Sequence, residues 1–168
     1  MNNVEIERKF LIDPEKIPFK LEDYEYEDMI QGYISGYNNF TYRLRKSKQG
    51  GKTEYFQTIK GKGYKLRSEF EINLSEKDFD KMWILCKDIT ISKHRYHVPY
   101  GGKILYLDEY KGPVKGLYTL EIEFDNEDDC DDYKPSYWFG PEVTYDSRFT
   151  NSQLAKNGLP KNYKMYGV

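Results

Sequence analysis

The chain of 168 residues is long enough to bury a core without disulfide bonds, and we expect one domain over 1–168. Aromatic residues make up 17% of it and include 17 Tyr, which excludes a disordered chain, and no apolar run approaches the roughly 18 residues of a membrane-spanning helix. The net charge of −2 gives no basic attraction, so neither nucleic acid nor a membrane is expected as a partner. Cys86 and Cys130 lack metal-ligand spacing and no signal peptide is evident, so we expect free thiols in a reducing cytoplasm.

Segments rich in β-forming residues alternate with turn residues, which is typical of antiparallel β proteins. They predict strands at 3–12, 29–36, 39–47, 53–60, 65–74, 90–98, 103–110 and 117–125. A helix should begin after Ser75, because an apolar stripe at 3–4 spacing runs from Phe79 to Cys86. Two shorter helices are predicted after Asn126 and over 151–157. The predicted fold is α+β, mainly antiparallel β: an eight-stranded closed β-barrel, or tunnel, with a few flanking helices.

Charged residues recur at alternate positions in the predicted strands. In the first strand Glu5, Glu7 and Lys9 share one face, because the side chains of a strand alternate between its two faces. Two more Glu-x-Glu pairs follow in later strands: Glu69, Glu71, Glu121 and Glu123. The cations at matching positions are Lys9, Arg43, Arg45, Lys60, Arg67, Lys93 and Arg95, and Lys62 shares the parity of Lys60 across a predicted turn.

Two arrangements account for this pattern. The charged faces either lie in solvent, as in many antiparallel sheets, or line the barrel interior while the apolar faces turn outward under the helices. The repeated use of charge, rather than Ser or Thr, favours a charged interior. Clustered carboxylates suit a hard cation such as Mg²⁺ or Mn²⁺, and clustered Arg and Lys suit phosphate, so a polyphosphate with a divalent metal would satisfy both sets.

The order of these motifs resembles that of the CYTH domain, or triphosphate tunnel metalloenzyme, family. Glu5, Glu7 and Lys9 form its ExExK signature. Later segments are similar to the family's strands in the same order, at Gln31-Gly32-Tyr33-Ile34, Tyr42-Arg43-Leu44-Arg45, Thr58-Ile59-Lys60-Gly61, Arg67-Ser68-Glu69-Phe70-Glu71, Lys93-His94-Arg95-Tyr96, Leu107-Asp108 and Leu120-Glu121-Ile122-Glu123. The resemblance covers nearly the whole chain.

The resemblance implies a tunnel that binds a triphosphate and a divalent metal. The expected metal ligands are Glu5, Glu7, Glu121 and Glu123, with Glu69, Glu71 and Asp108 as further or second-site ligands. The expected phosphate-binding residues are Arg43, Arg45, Lys60, Lys62, Arg67, Lys93 and Arg95. Lys9, hydrogen-bonded to Tyr33 and with a lowered pKa, is expected to orient or deprotonate the attacking water; the alternative is that it only pairs with the nearby carboxylates.

Within the family, the compact layout is most similar to inorganic triphosphatases. This implies a hydrolase that uses Mg²⁺ or Mn²⁺ to convert tripolyphosphate to pyrophosphate and phosphate. The alternatives are a class IV adenylyl cyclase, a nucleoside or thiamine triphosphatase, and a protein that binds polyphosphate without turnover. The His-Phe-x-x-Pro segment associated with the cyclases does not occur, since neither His94 nor His97 precedes Phe. A homodimer is expected if the barrel exposes apolar surface.

Overall fold

Nine strands and three short α-helices make up the regular structure of the computed structural model, which describes residues 3–34, 40–86, 88–161 and 163. The strands are β1 (Asn3–Ile12), β2 (Tyr26–Ile34), β3 (Thr41–Gln49), β4 (Lys52–Lys60), β5 (Leu66–Asn73), β6 (Thr90–Tyr100), β7 (Lys103–Tyr110), β8 (Tyr118–Glu123) and β9 (Phe139–Glu142). The helices are α1 (Glu76–Trp83), α2 (Glu127–Asp132) and α3 (Asn151–Asn157). The eight predicted strands and three predicted helices are confirmed with small shifts at their ends, although positions 35, 36 and 39 of the predicted strands lie outside the described residues.

The first eight strands close into an antiparallel barrel. Their order is β5-β4-β3-β2-β6-β7-β8-β1, and β1 also pairs with β5 to complete the ring. This closure confirms the predicted fold. The β3–β4 hairpin turns through Gly50 and Gly51 at φ of 55° and 81°, a two-residue loop that favours glycine at both positions. Because a closed sheet has an inner and an outer face, alternate residues of each strand point into the barrel.

Two hydrophobic clusters lie outside the barrel, between the sheet and the segments that cover it. Leu107 and Ile122, on the outer faces of β7 and β8, are fully buried in a cluster with Trp138. α1 covers another part of the outer face, where Phe79 packs in a cluster with the fully buried Leu44. Since these apolar faces are covered from outside, much of the interior is left to polar and charged side chains.

The C-terminal part of the described chain packs against the barrel through α3. Leu154 of α3 lies in one buried cluster with Phe149 and with the inward residues Tyr33 and Tyr110. The hydroxyl of Thr150 caps the helix by accepting a hydrogen bond from the backbone N–H of Gln153. This packing brings the first turn of α3 to the wall of the barrel's inner space.

The two cysteines are buried free thiols, as predicted. They lie apart in the fold, since Cys86 packs under α1 and Cys130 belongs to α2. No helix within the described residues is long and apolar enough to cross a membrane.

Candidate active site

The inside of the barrel holds a long cavity of about 890 Å³. It follows β3 from Thr41 to Gln49, a length of roughly 26 Å at about 3.3 Å per residue. The charged faces therefore line the interior instead of lying in solvent. The predicted site residues that line the cavity are Glu5, Glu7, Lys9, Tyr33, Arg43, Arg45, Lys60, Lys62, Arg67, Glu69, Glu71, Arg95, Glu121 and Glu123.

Arg67 and Lys60 each bind two carboxylates of β1 and β5. Arg67 lies opposite Glu5 in the strand register; its Nε donates to Glu5 Oε2 and its Nη2 to Glu7 Oε1, both at 2.7 Å. Lys60 Nζ donates to both carboxylate oxygens of Glu5 at 2.9 and 2.8 Å and forms an ion pair of 2.8 Å with Glu69. These ion pairs keep Glu5 charged, because the two cations outweigh the effect of burial and lower its pKa to about 2.

Glu7 lies in a more acidic environment than Glu5. The strand register places it opposite Glu123 of β8. Burial, together with the charges of Glu121 and Glu5, raises the pKa of Glu7 to about 7, although Arg67 acts in the opposite direction. Burial and the charge of Glu5 also raise the pKa of Glu123. Carboxylates crowded in this way carry more negative charge than their neighbours neutralise, and an added cation would relieve the repulsion.

Arg43 and Arg45 of β3 form the cationic wall and share one carboxylate. Their Nη2 atoms donate to the two oxygens of Glu71, each at 3.2 Å, and Arg43 also donates to Thr58 Oγ1 at 3.0 Å. The Nε atoms of both arginines are buried and have no hydrogen-bond partner among the described residues. Burial and the charge of Arg43 lower the pKa of Arg45. Two guanidinium groups on one carboxylate therefore leave both charge and N–H donors for an anion.

Asp108 and Lys93 have the strand parity of inward residues but do not line the cavity, and each side chain is fully buried. Asp108 accepts a hydrogen bond of 2.5 Å from Lys93 Nζ and two of 2.7 Å from the guanidinium of Arg95. Arg95 continues to Glu121, which lines the cavity. The predicted direct contacts of Asp108 with a metal and of Lys93 with phosphate gain no support from this arrangement, because Asp108 accepts from both cations and neither residue lines the cavity.

Lys9 differs from its predicted state. Its Nζ forms an ion pair of 3.0 Å with Glu121 and lies 3.5 Å from the hydroxyl of Tyr110, whereas the Tyr33 hydroxyl donates to Gln31 Oε1 at 3.0 Å. The predicted hydrogen bond from Lys9 to Tyr33 is therefore replaced by contacts with β7 and β8. The predicted lowering of its pKa is wrong: burial alone would lower it, but Tyr110 and Glu121 outweigh burial and the pKa of Lys9 is raised.

The lowered lysine pKa belongs instead to Lys93. Burial and the charge of Arg95 lower the pKa of Lys93 to about 8, against the attraction of Asp108. Burial raises the pKa of Tyr33 to about 12, so its hydroxyl keeps its proton at neutral pH. Lys9 and Tyr33 therefore line the cavity as protonated donors, whereas Lys93, the lysine with the lowered pKa, does not line it.

The sequence patterns did not identify three further residues of the cavity wall, Glu27, Ser47 and His97. Ser47 Oγ donates to Glu27 Oε2 at 2.5 Å, and His97 Nε2 lies 2.7 Å from Glu27 Oε1. Burial opposes ionisation, but the nearby imidazole of His97 and the hydrogen bond from Ser47 prevail and lower the pKa of Glu27 to about 2. His97 has the same parity as Arg95, and this signal could have identified it as inward-facing.

The carboxylate oxygens in the cavity are of the type that binds a hard divalent cation, but their present positions do not form a metal site. Glu5, Glu7 and Glu123 offer oxygen ligands on adjacent strands. The raised pKa values of Glu7 and Glu123 indicate that nearby cations do not fully neutralise these buried carboxylates. Within the described ranges, no three His, Cys, Asp or Glu side chains are grouped as a ready metal site. Arg67 and Lys60 occupy the carboxylate oxygens that a metal would use.

The chain is similar along most of its length to proteins named inorganic triphosphatase. The relative from Nitrosomonas europaea is 35% identical over 153 residues, which cover 90% of this chain and 96% of that protein. The relative from Acetivibrio thermocellus is 32% identical over 163 residues, which cover 95% of this chain and 97% of that protein. No family model matches the chain.

Solved structures share the barrel. The crystal structure of the inorganic triphosphatase NE1496 has a TM-score of 0.63 and 34% sequence identity, and the match covers 90% of this chain and 93% of that chain. The PH1819 protein from Pyrococcus horikoshii, at 23% identity, shares the fold with a TM-score of 0.56 over 76% of this chain and 82% of that chain. A closed antiparallel barrel with a charged interior is the architecture expected of the triphosphate tunnel class. The chain belongs to the inorganic triphosphatase family, which confirms the resemblance drawn from its motifs.

Proposed function

We propose that this protein hydrolyses inorganic tripolyphosphate to pyrophosphate and phosphate with the help of Mg²⁺ or Mn²⁺. The observation that carries the proposal is the cationic wall, where the buried Nε atoms of Arg43 and Arg45 lack acceptors within the described part of the chain. A linear triphosphate supplies acceptor oxygens and negative charge to such a wall. Its location opposite a carboxylate cluster in one cavity supports metal-assisted chemistry over simple anion binding.

The phosphate groups would contact cations from several strands. Arg43 and Arg45 can each bind phosphate oxygens through two N–H groups, whereas Lys60 contributes a point charge. Lys62 is exposed at the cavity edge, so it would meet a phosphate during entry. Arg95 lines the same cavity and is oriented by its two hydrogen bonds to Asp108. This division assigns contact with the substrate to the cavity-lining cations and a positioning role to Asp108 and Lys93.

The proposed metal ligands are Glu5, Glu7, Glu121 and Glu123, with Glu69 and Glu71 as further ligands. A bound Mg²⁺ or Mn²⁺ would offset the negative charge of the reacting phosphoryl group. Glu7 and Glu123 support this assignment most directly, because their carboxylates face each other in the strand register and their pKa values are raised. Asp108 is left out of the set because it lies outside the cavity.

Lys9 and Tyr33 are proposed to act as hydrogen-bond donors. Both side chains line the cavity and both hold their protons at neutral pH, as their raised pKa values indicate. They would orient the terminal phosphoryl group and the attacking water instead of removing a proton. Phosphoryl transfer depends on such positioning and on charge neutralisation more than on a strong base.

The experiment supplies the protein with tripolyphosphate, ATP or thiamine triphosphate, each with Mg²⁺, with Mn²⁺ or with EDTA, and measures phosphate and cyclic AMP. We expect phosphate release to be fastest from tripolyphosphate and to require the metal. An Arg43→Gln/Arg45→Gln variant should lose this activity. Formation of cyclic AMP and pyrophosphate from ATP while tripolyphosphate stays intact would contradict the proposal.

The proposal also includes a cytoplasmic location and a homodimer. The two free thiols support the location. The outer face of the barrel exposes Val4, Leu66 and Phe70, with 60% of Phe70 accessible, which supports association of two copies. Light scattering on the purified protein tests the dimer, since a monomeric mass would contradict it.

A further inference from the structure

Arg67 binds the two carboxylates that begin the ExExK signature. Its Nε–H and Nη2–H groups each donate at 2.7 Å, one to Glu5 and the other to Glu7, and its side chain is only 18% exposed. Hydrogen bonds between a guanidinium and a carboxylate are charge-assisted and are roughly twice as strong as those between neutral groups. The same oxygens are the proposed ligands of the divalent metal. Arg67 and the metal would therefore compete for them.

We propose that Arg67 is a built-in competitor of the metal, which holds Glu5 and Glu7 until a bound phosphate chain draws the guanidinium away. This inference rests on the proposed function of the cavity. Arg67 lines the same cavity as the cationic wall, so a triphosphate offers it a second set of anionic oxygens. A metal alone would then bind weakly, and the metal and the phosphate chain would strengthen each other's binding.

Glu7 is the carboxylate that Arg67 controls most fully. The other bridging cation, Lys60, contacts Glu5 and Glu69, and Arg67 is the one ion-pair partner of Glu7 among the residues the structure describes. Lys60 can keep its contact with Glu69 when Glu5 turns to a metal. Release of Glu7, in contrast, requires Arg67 to move. The competition therefore acts chiefly at Glu7.

The proposed coupling has a fixed thermodynamic form. If phosphate strengthens metal binding by a given factor, the metal strengthens phosphate binding by the same factor. In the metal-free protein Arg67 neutralises the carboxylates that would repel a phosphate chain, and in the loaded protein the metal takes over that task. In both states a cation therefore lies beside Glu5 and Glu7. Removal of Arg67 should strengthen metal binding and weaken phosphate binding in the metal-free protein.

The test is Mn²⁺ binding to the purified protein without substrate, followed by the electron paramagnetic resonance signal of free Mn²⁺. Arg67→Gln should bind Mn²⁺ at least about tenfold more tightly than the wild type, a factor that corresponds to about 1.4 kcal/mol. Arg45→Gln is the matched control, because it removes the same charge from the same cavity but contacts Glu71 instead of Glu5 or Glu7. Its gain in Mn²⁺ affinity should be clearly smaller.

Two further measurements decide whether the effect acts through Glu7 and through phosphate. The gain from Arg67→Gln should disappear in a Glu7→Gln background, as expected for residues that interact directly. Inorganic phosphate should tighten Mn²⁺ binding to the wild type and should have little effect on Arg67→Gln.

Arg67→Lys keeps the charge but loses the contact with two carboxylates through two N–H groups. Its Mn²⁺ affinity should lie between those of the wild type and Arg67→Gln. It serves as the second variant if Arg67→Gln is unfolded by circular dichroism.

The proposal is overturned if Arg67→Gln binds Mn²⁺ as weakly as the wild type, or if Arg45→Gln shows an equal gain. It is also overturned if phosphate tightens Mn²⁺ binding equally in the wild type and in Arg67→Gln. None of these outcomes depends on turnover. Failure of the proposed function would instead be seen as a wild type that leaves tripolyphosphate intact, whatever its Mn²⁺ affinity.

Discussion

Replacement of Glu7 by Gln tests the acidic cluster through stability as well as activity. Burial, followed by the charges of Glu121 and Glu5, raises the pKa of Glu7 from 4.5 to about 7. Between these two pH values the folded protein holds a proton that the unfolded chain has released. Stability should therefore fall as pH rises through this window, and Gln, which carries no charge, removes that penalty.

The magnitude follows from the size of the pKa change. At about 1.4 kcal/mol per pKa unit, a rise from 4.5 to about 7 corresponds to an upper value of roughly 3 kcal/mol. The contact of Glu7 with Arg67 is lost in the variant and offsets part of this gain, while Arg67 keeps Glu5 as a partner. We expect Glu7→Gln to match the wild type near pH 4.5 and to exceed its stability by on the order of 1–3 kcal/mol at pH 8.

The assay is urea unfolding in EDTA at several pH values, followed by the fluorescence of the two Trp residues. Glu54→Gln is the matched control, because Glu54 lines the cavity but is only partly buried and pairs with Lys52. In the presence of Mg²⁺, Glu7→Gln should be folded and without tripolyphosphatase activity. A variant that is less stable than the wild type at pH 8, or one with near-normal metal-dependent turnover, would refute the reasoning.

Substitutions at Asp108 and at Arg45 test the buried support of Arg95 and the cationic wall. Asp108→Asn should lower the free energy of unfolding by about 3–5 kcal/mol in urea titrations, because it leaves Lys93 and Arg95 buried with too little negative charge. Adding Lys93→Met should recover part of this loss, and no recovery would place the cost elsewhere. Arg45→Ala should lower kcat/KM for tripolyphosphate by the equivalent of about 2–5 kcal/mol, since its guanidinium is proposed to contact phosphate. Unchanged kcat/KM would show that Arg45 does not contact the substrate.

Much of the fold follows from local sequence patterns. Alternation with a period of two identifies the strands, and the apolar stripe from Phe79 to Cys86 identifies α1, because side-chain direction within one element depends on neighbouring residues alone. The four-residue strand β9 is the exception. It contains Pro141 and is too short for a periodic signal, and it forms because β1 offers backbone partners at Phe10 and Ile12.

The sequence by itself determined which residues share a face, and hence that charges gather on one side of the strands and apolar groups on the other. Only the tertiary structure decided which charges meet, because each partner comes from a distant strand whose register depends on barrel closure. The pKa of a buried group depends on all its neighbours in space. Lys9 therefore keeps its proton beside Glu121, Lys93 has the lowered pKa, and Asp108 binds Arg95 without lining the cavity.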